Sequence, residues 1–193
     1  MKHIRSIIAC LGILGFVLFC EAAMAQSPGK NAGAHALTSV PAEPQTTVAS
    51  YGDWVVRCQR VNQQGKVVRV CEAAEAIQVQ GQAAPIAQIA IGRLPNEASL
   101  RVTVATPPAV SFPSSVRIAE GKGGPTLTLE WRRCLPGGCF ADAPIGNDVL
   151  ARWRGRTDAG QLTFKDAAGQ DATLPISFRG LAQALDALAK EGR

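Results

Sequence analysis

From Tyr51 onward, apolar side chains recur at every second position, and that period calls for a chain of half-buried strands. Trp54, Val56 and Cys58 fall on one face, with Val55 and Arg57 on the other. Val68 and Val70 flank Arg69; Ile89 and Ile91 follow, then Leu100, Val102 and Val104, then Val116 and Ile118. Leu127, Leu129 and Trp131 alternate with Thr126, Thr128 and Glu130. Leu162 and Phe164 alternate with Thr163 and Lys165, and Leu174, Ile176 and Phe178 close the series. Turn-forming Gly, Pro and Asn separate the runs, as in the hairpin loop expected at residues 121–125. Many short strands at this spacing predict a mainly-β fold, an antiparallel β-sandwich or barrel-like sheet pair. Two short helices interrupt it. One, near 147–154, has Val149, Leu150 and Trp153 on its apolar side, Asn147 as its cap and Gly155 at its end. The other, C-terminal near 179–190, carries Leu181, Ala184, Leu185 and Leu188 at i, i+3, i+4 and i+7, with Ser177 as N-cap, and is expected to dock on the sheet.

The first residues carry a different pattern. Lys2, His3 and Arg5 precede an apolar run over residues 7–20, followed by the small-residue triplet Ala23-Met24-Ala25. These are the parts of a secretory leader, with the cut expected between Ala25 and Gln26. The run is shorter than the ~20 residues of a spanning helix, so no transmembrane segment is expected in the mature chain. Residues 26–50, rich in Ala, Pro, Ser and Thr without apolar periodicity, read as a flexible tether, and residues 51–193 as a single domain. The implied location is the periplasm or the exterior. The net charge of +5, about +4 without the leader, is too small and too dispersed for nucleic-acid binding.

Removal of the leader takes Cys10 and Cys20 with it and leaves Cys58, Cys71, Cys134 and Cys139. An even count in an exported chain reads as two disulfides. Three pairings are possible; Cys58–Cys71 and Cys134–Cys139 are preferred because each can tie neighbouring strands or a tight turn, with Pro136-Gly137 as the centre of a type II turn. The folded region beyond residue 50 contains no histidine, which removes Ser-His-Asp and Cys-His catalysis and His-ligated metal. With the four thiols paired, no thiolate nucleophile or metal cage remains, so no catalytic residue, metal or cofactor is assigned. The alternatives are enzymatic. Cys134–Cys139 would have to be redox-active despite four intervening residues, or two of Asp53, Glu130, Asp142 and Asp148 would have to converge as hydrolytic carboxylates.

One positive feature is a set of arginines around tryptophans: Arg132 and Arg133 follow Trp131, and Arg152, Arg154 and Arg156 surround Trp153. Side by side, these segments would form a basic aromatic surface for an envelope protein, a glycan or an anionic lipid surface. Apart, they are core tryptophans with solvated arginines.

The motifs together resemble the invasion-associated locus B family of bacterial envelope proteins. The likeness runs through Gly52-Asp53-Trp54, Cys58, Cys71, the Pro-punctuated stretch 107–116, Arg133-Cys134-Leu135-Pro136-Gly137-Gly138-Cys139, the short helix with Val149 and Leu150, and residues 174–181 leading into the final helix. It covers residues 51–190. The resemblance supplies no catalytic residue, in line with the missing histidines, and the leading reading of the residues is a non-enzymatic binding or interaction module.

Overall fold

The computed structural model describes residues 44–191 except 83, 95, 96 and 122. Ten strands follow one another: β1 (Thr46–Tyr51), β2 (Trp54–Gln63), β3 (Lys66–Ile77), β4 (Ala87–Gly92), β5 (Arg101–Thr106), β6 (Ser115–Ala119), β7 (Thr126–Leu135), β8 (Gly138–Pro144), β9 (Gly160–Lys165) and β10 (Asp171–Ile176). Helix α1 (Asn147–Arg154) lies between β8 and β9, and α2 (Leu181–Glu191) follows β10. The mainly-β reading with two helices therefore holds. The strands form one antiparallel sheet in the order β1-β2-β3-β4-β5-β8-β7-β6-β9-β10, which does not close.

The sheet curls around one core. Trp54 and Val56 from β2, Ile89 and Ile91 from β4, Val104 from β5, Leu129 from β7 and Leu162 from β9 belong to the same buried cluster. Alternation along each strand produces this: the core-facing set is mostly apolar, and the opposite set is mostly Thr, Arg, Gln and Glu. Both helices close the core. The predicted stripe of α2, Leu181, Ala184, Leu185 and Leu188, is buried in full, as are Leu150 and Trp153 of α1.

Both disulfides pair as preferred, Cys58 with Cys71 and Cys134 with Cys139. In each case the cysteines are direct register partners on adjacent strands, β2 with β3 and β7 with β8. The β2–β3 hairpin turns through Gln64 (φ 50°) and Gly65 (φ 83°), the two positive-φ residues of a type I′ turn, which suits the twist of the flanking strands.

Four details correct the sequence reading. The domain begins before Tyr51, because residues 46–50 of the expected tether form β1 and pair with β2 in unbroken register; Thr and Val supply strand propensity there, although too few apolar residues alternate to show it. The rest of that tether, up to residue 43, and the leader with Ala25 and Gln26 lie outside the described residues. Asn147 is the first helical residue rather than the cap; Gly146 takes the cap position without a side-chain bond. Ser177 does not cap α2 either: the N–H its hydroxyl accepts is that of Arg179 (3.1 Å), which precedes the helix, and the carbonyl of Gly180 accepts the Ala184 N–H at the helix start. The β7–β8 turn is not type II, because positive φ falls on Gly138 (146°) rather than Gly137. A Cβ at Gly138 would lie 2.5 Å from the Thr106 carbonyl, so β5 approaches there as only glycine permits.

Candidate functional site

The two arginine–tryptophan segments are placed at opposite ends of β6. Trp131 Nε1 donates to the Ser114 hydroxyl (3.1 Å) just before the strand, and Trp153 Nε1 donates to Glu120 (3.2 Å) just after it. Six residues of extended chain separate those anchors, about 20 Å at ~3.3 Å per residue. The two segments therefore lie apart rather than side by side, and the two halves are placed differently.

In the α1 half the tryptophan is internal and the arginines are held in ion pairs or over a ring around it. Trp153 is buried and packs against Phe178, with tilted rings whose centroids are 5.6 Å apart. Glu120, 3% exposed, accepts from both Trp153 and Arg152 Nε (3.0 Å). Arg152 also reaches Asp148 (3.2 Å), Arg154 reaches Asp186 (2.6 Å), and Arg156 stacks its guanidinium over Phe178. Hydrogen bonds to Glu120 first, and to Asp148 second, hold Arg152 charged more firmly than usual, and the Arg152 hydrogen bond holds the Asp148 carboxyl below its ordinary range. These arginines neutralise acids and fasten α1 to its neighbours.

The β7 half faces outward. The connection 107–114 leaves β5 beside Cys139, crosses the β7–β8 hairpin and enters β6 opposite Glu130. Its Phe112 is 60% exposed and meets the half-buried Trp131 edge to face at 6.1 Å. Leu135, at the hairpin tip, is 48% exposed. The guanidinium of Arg133 lies over the Phe140 ring, and Arg132 reaches Asp142 (3.2 Å) while remaining open to solvent. Exposed aliphatic and guanidinium groups thus lie on the hairpin, and the exposed aromatic ring on the connection that crosses it. A bulge separates Trp131 from Arg133, sending the tryptophan inward and the following residues to the other face.

The carboxylates singled out from sequence do not assemble as a set. Glu130 and Asp142 are cross-strand partners, but Asp142 is taken by Arg101 and Arg132, and Asp148 by Arg152. Asp53 instead meets an acid the sequence reading passed over. Asp53 and Glu75 both line a cleft of about 370 Å³ with Gln78, Ala159, Pro175 and Ser177. Ser177 ties them together: its hydroxyl donates to Asp53 (2.6 Å) and its N–H donates to Glu75 (2.9 Å). Arg179 grips both oxygens of Asp53 through Nε and Nη2, and Trp54 Nε1 donates to the Ser177 carbonyl (2.9 Å). The Arg179 hydrogen bond first, and Ser177 second, hold the Asp53 carboxyl below its ordinary range. Burial pushes Glu75 up to about 7, with the charge of Asp53 adding to the rise and the Ser177 N–H opposing it. Gly52 and Gly180 allow the two segments to touch; a Cβ on Gly180 (φ 88°) would lie 1.9 Å from the Tyr51 carbonyl.

Cys58, Cys71 and Glu191 are the one group of metal-ligand type found among the described residues, and both sulfurs are consumed in a disulfide, which is not a thiolate ligand. Also among the described residues, no helix is long and apolar enough to cross a membrane.

These features define a small β-domain pinned by two cross-strand disulfides, with its ends clasped around Ser177 and one aromatic hairpin left exposed. The family profile described as invasion associated locus B (IalB) protein matches residues 54–189, and the chain belongs to that family. Among solved structures it resembles the crystal structure of invasion associated protein b from Bartonella henselae, with a TM-score of 0.61 and 21% identity over 76% of this chain and 97% of that one. That likeness establishes the shared fold. Among curated proteins, none matches the chain.

Proposed function

We propose that this chain is exported through its leader, cut between Ala25 and Gln26, and acts at the envelope as a non-enzymatic binding module. The contact surface is the β7–β8 hairpin with connection 107–114, and the partner is an anionic lipid surface. One observation carries the reading: Leu135 stands exposed on the same hairpin as the solvent-open Arg132 and Arg133, and Phe112 stands exposed over Trp131 in the connection that crosses that hairpin. Apolar side chains that enter the headgroup region, flanked by cations that meet anionic lipid, make an interfacial anchor. The two carboxylates of the cleft are read as structural ties, because Asp53 is occupied by Arg179 and Ser177, and both oxygens of Glu75 share the Ser177 N–H.

Co-sedimentation with vesicles tests the proposal. The exported chain pellets with vesicles containing anionic lipid and stays in solution with zwitterionic ones. Phe112→Ser with Leu135→Ser abolishes pelleting, and Arg133→Glu weakens it, while charge reversal at Arg156 has no effect beyond its influence on folding. Equal pelleting of wild type and the Phe112/Leu135 variant would overturn the assignment.

A further inference from the structure

The sheet has two edges, and the sequence treats them differently. An edge strand offers unpaired N–H and C=O groups to any other strand, and proteins ordinarily blunt it with charge, proline or a bulge. β10 is blunted: Pro175 lies within it, and Asp171 pairs with Lys165 at 3.1 Å. β1 carries none of these devices. Its sequence, Thr-Thr-Val-Ala-Ser-Tyr, has no charge and no proline, and its six pairs with β2 run without a register shift. Among the described residues, β2 is its only strand partner.

The outward face of this edge carries one exposed apolar side chain on β1, Val48, between Thr46 and Ser50. Direct register partners share a face. Trp54, Val56 and Cys58 are buried, so Val48 lies on the outer face opposite Arg57, with Val55 and Val70 around the Arg57–Glu72 ion pair. Val48 is 64% exposed at the margin of that surface.

We propose that β1 is a dimerisation edge, at which a second copy of this chain adds its own β1 antiparallel about a two-fold axis through Val48. A two-fold axis normal to the sheet keeps the faces of both copies aligned and pairs residues whose numbers add to 96. Val48 then faces the second copy's Val48, Thr47 faces Ala49, and Thr46 faces Ser50. The charge pattern supports this occupant, because an uncharged strand brings no like charges into opposition when it pairs with a copy of itself. Two exposed valines bury each other, and the Thr–Ser pairs bring hydroxyls within reach. Two-fold symmetry is also the commonest closed arrangement of identical chains. The contact is small for a permanent dimer, so association is reversible and concentration-dependent.

Sedimentation equilibrium on the exported full chain, from about 1 to 200 μM, reads the outcome. Wild type shows a monomer–dimer equilibrium. Val48→Lys places two ammonium groups opposite each other and raises the dissociation constant by at least about tenfold. Val67→Lys, at an equally exposed position on β3 (67%), leaves it unchanged. Circular dichroism confirms that each variant folds. A second readout needs no charge: Val48→Cys forms an intermolecular disulfide several-fold faster than Val67→Cys. A chain monomeric throughout this range would overturn the proposal, as would a dimer indifferent to Val48→Lys or equal cross-linking at the two positions. Monomeric full chain whose edge opens to dimerisation only after proteolytic removal of residues 26–43 would assign the edge to the chain's own N-terminal segment, and also overturns it.

Discussion

Replacing Glu75 by Gln should stabilise the protein, and only above mildly acidic pH. The Glu75 carboxyl is 7% exposed, and burial raises its pKa from 4.5 to about 7. An acid whose folded pKa is raised holds its proton in the native state while the unfolded chain has already released it. Native protein therefore binds more protons than unfolded protein between pH 4.5 and 7, and stability falls as pH rises through that window. The penalty is complete above the folded pKa. A shift of about 2.5 units at 1.36 kcal/mol per unit sets an upper figure of about 3 kcal/mol; water entering the open cleft reduces it, so about 2 kcal/mol is expected. Glutamine keeps an acceptor for the Ser177 N–H and has no charge to bury. Urea unfolding of wild type and Glu75→Gln at pH 4.5, 6, 7 and 8.5 measures the difference. The variant should match wild type at pH 4.5 and gain steadily toward pH 8.5. Asp53, with its lowered pKa, acts with the opposite sign: its contribution is present above its unfolded value near 3.8 and is lost as pH falls below it, outside this window. A pH-independent difference, or a variant less stable than wild type at pH 8.5, would refute the reasoning.

Other perturbations follow from the same contacts. Gly180→Ala drives a Cβ into the Tyr51 carbonyl and should cost several kcal/mol or prevent folding, whereas Gly65→Ala, also at positive φ but in open space, should cost about 1 kcal/mol in the urea midpoint. Trp153→Phe removes one of the donors to buried Glu120 and should cost about 1–3 kcal/mol by the same measurement. Replacing Cys58 and Cys71 together by Ser should cost about 3 kcal/mol, and replacing Cys134 and Cys139 about 2, since the first pair closes the longer loop.

The fold was legible wherever amplitude was high. Period-two runs located β2, β5, β6, β7, β9 and β10, and the leucine stripe located α2, because large apolar side chains alternating with polar ones leave one reading. β8 was harder to see: its inward residues are Cys139, Ala141 and Ala143, too small to contrast with Phe140 and Asp142, although it is central to the sheet. β1 was hidden by its polarity, the same property that leaves it exposed at an edge.

The disulfides were readable from local spacing, and the presence of two arginine–tryptophan segments from composition. The separation of the two segments was not readable, because it depends on which end of β6 each segment meets. Glu75 gave no signal in an Ala-rich stretch. Its burial arises from Ser177, about a hundred residues along the chain, so only the tertiary fold reveals it. Phe112 was similarly silent, being one aromatic in a proline-rich connection until Trp131 is placed beneath it.

The central claim, that the exposed hairpin enters an anionic lipid surface, has a built-in reporter. Trp131 is half-buried beneath Phe112, whereas Trp54 and Trp153 are sealed in the core. Tryptophan emission of the exported chain should therefore be quenched by anionic vesicles bearing brominated acyl chains, and Trp131→Phe should remove most of that quenching. Absence of quenching in the wild type, or full quenching in Trp131→Phe, would contradict the account.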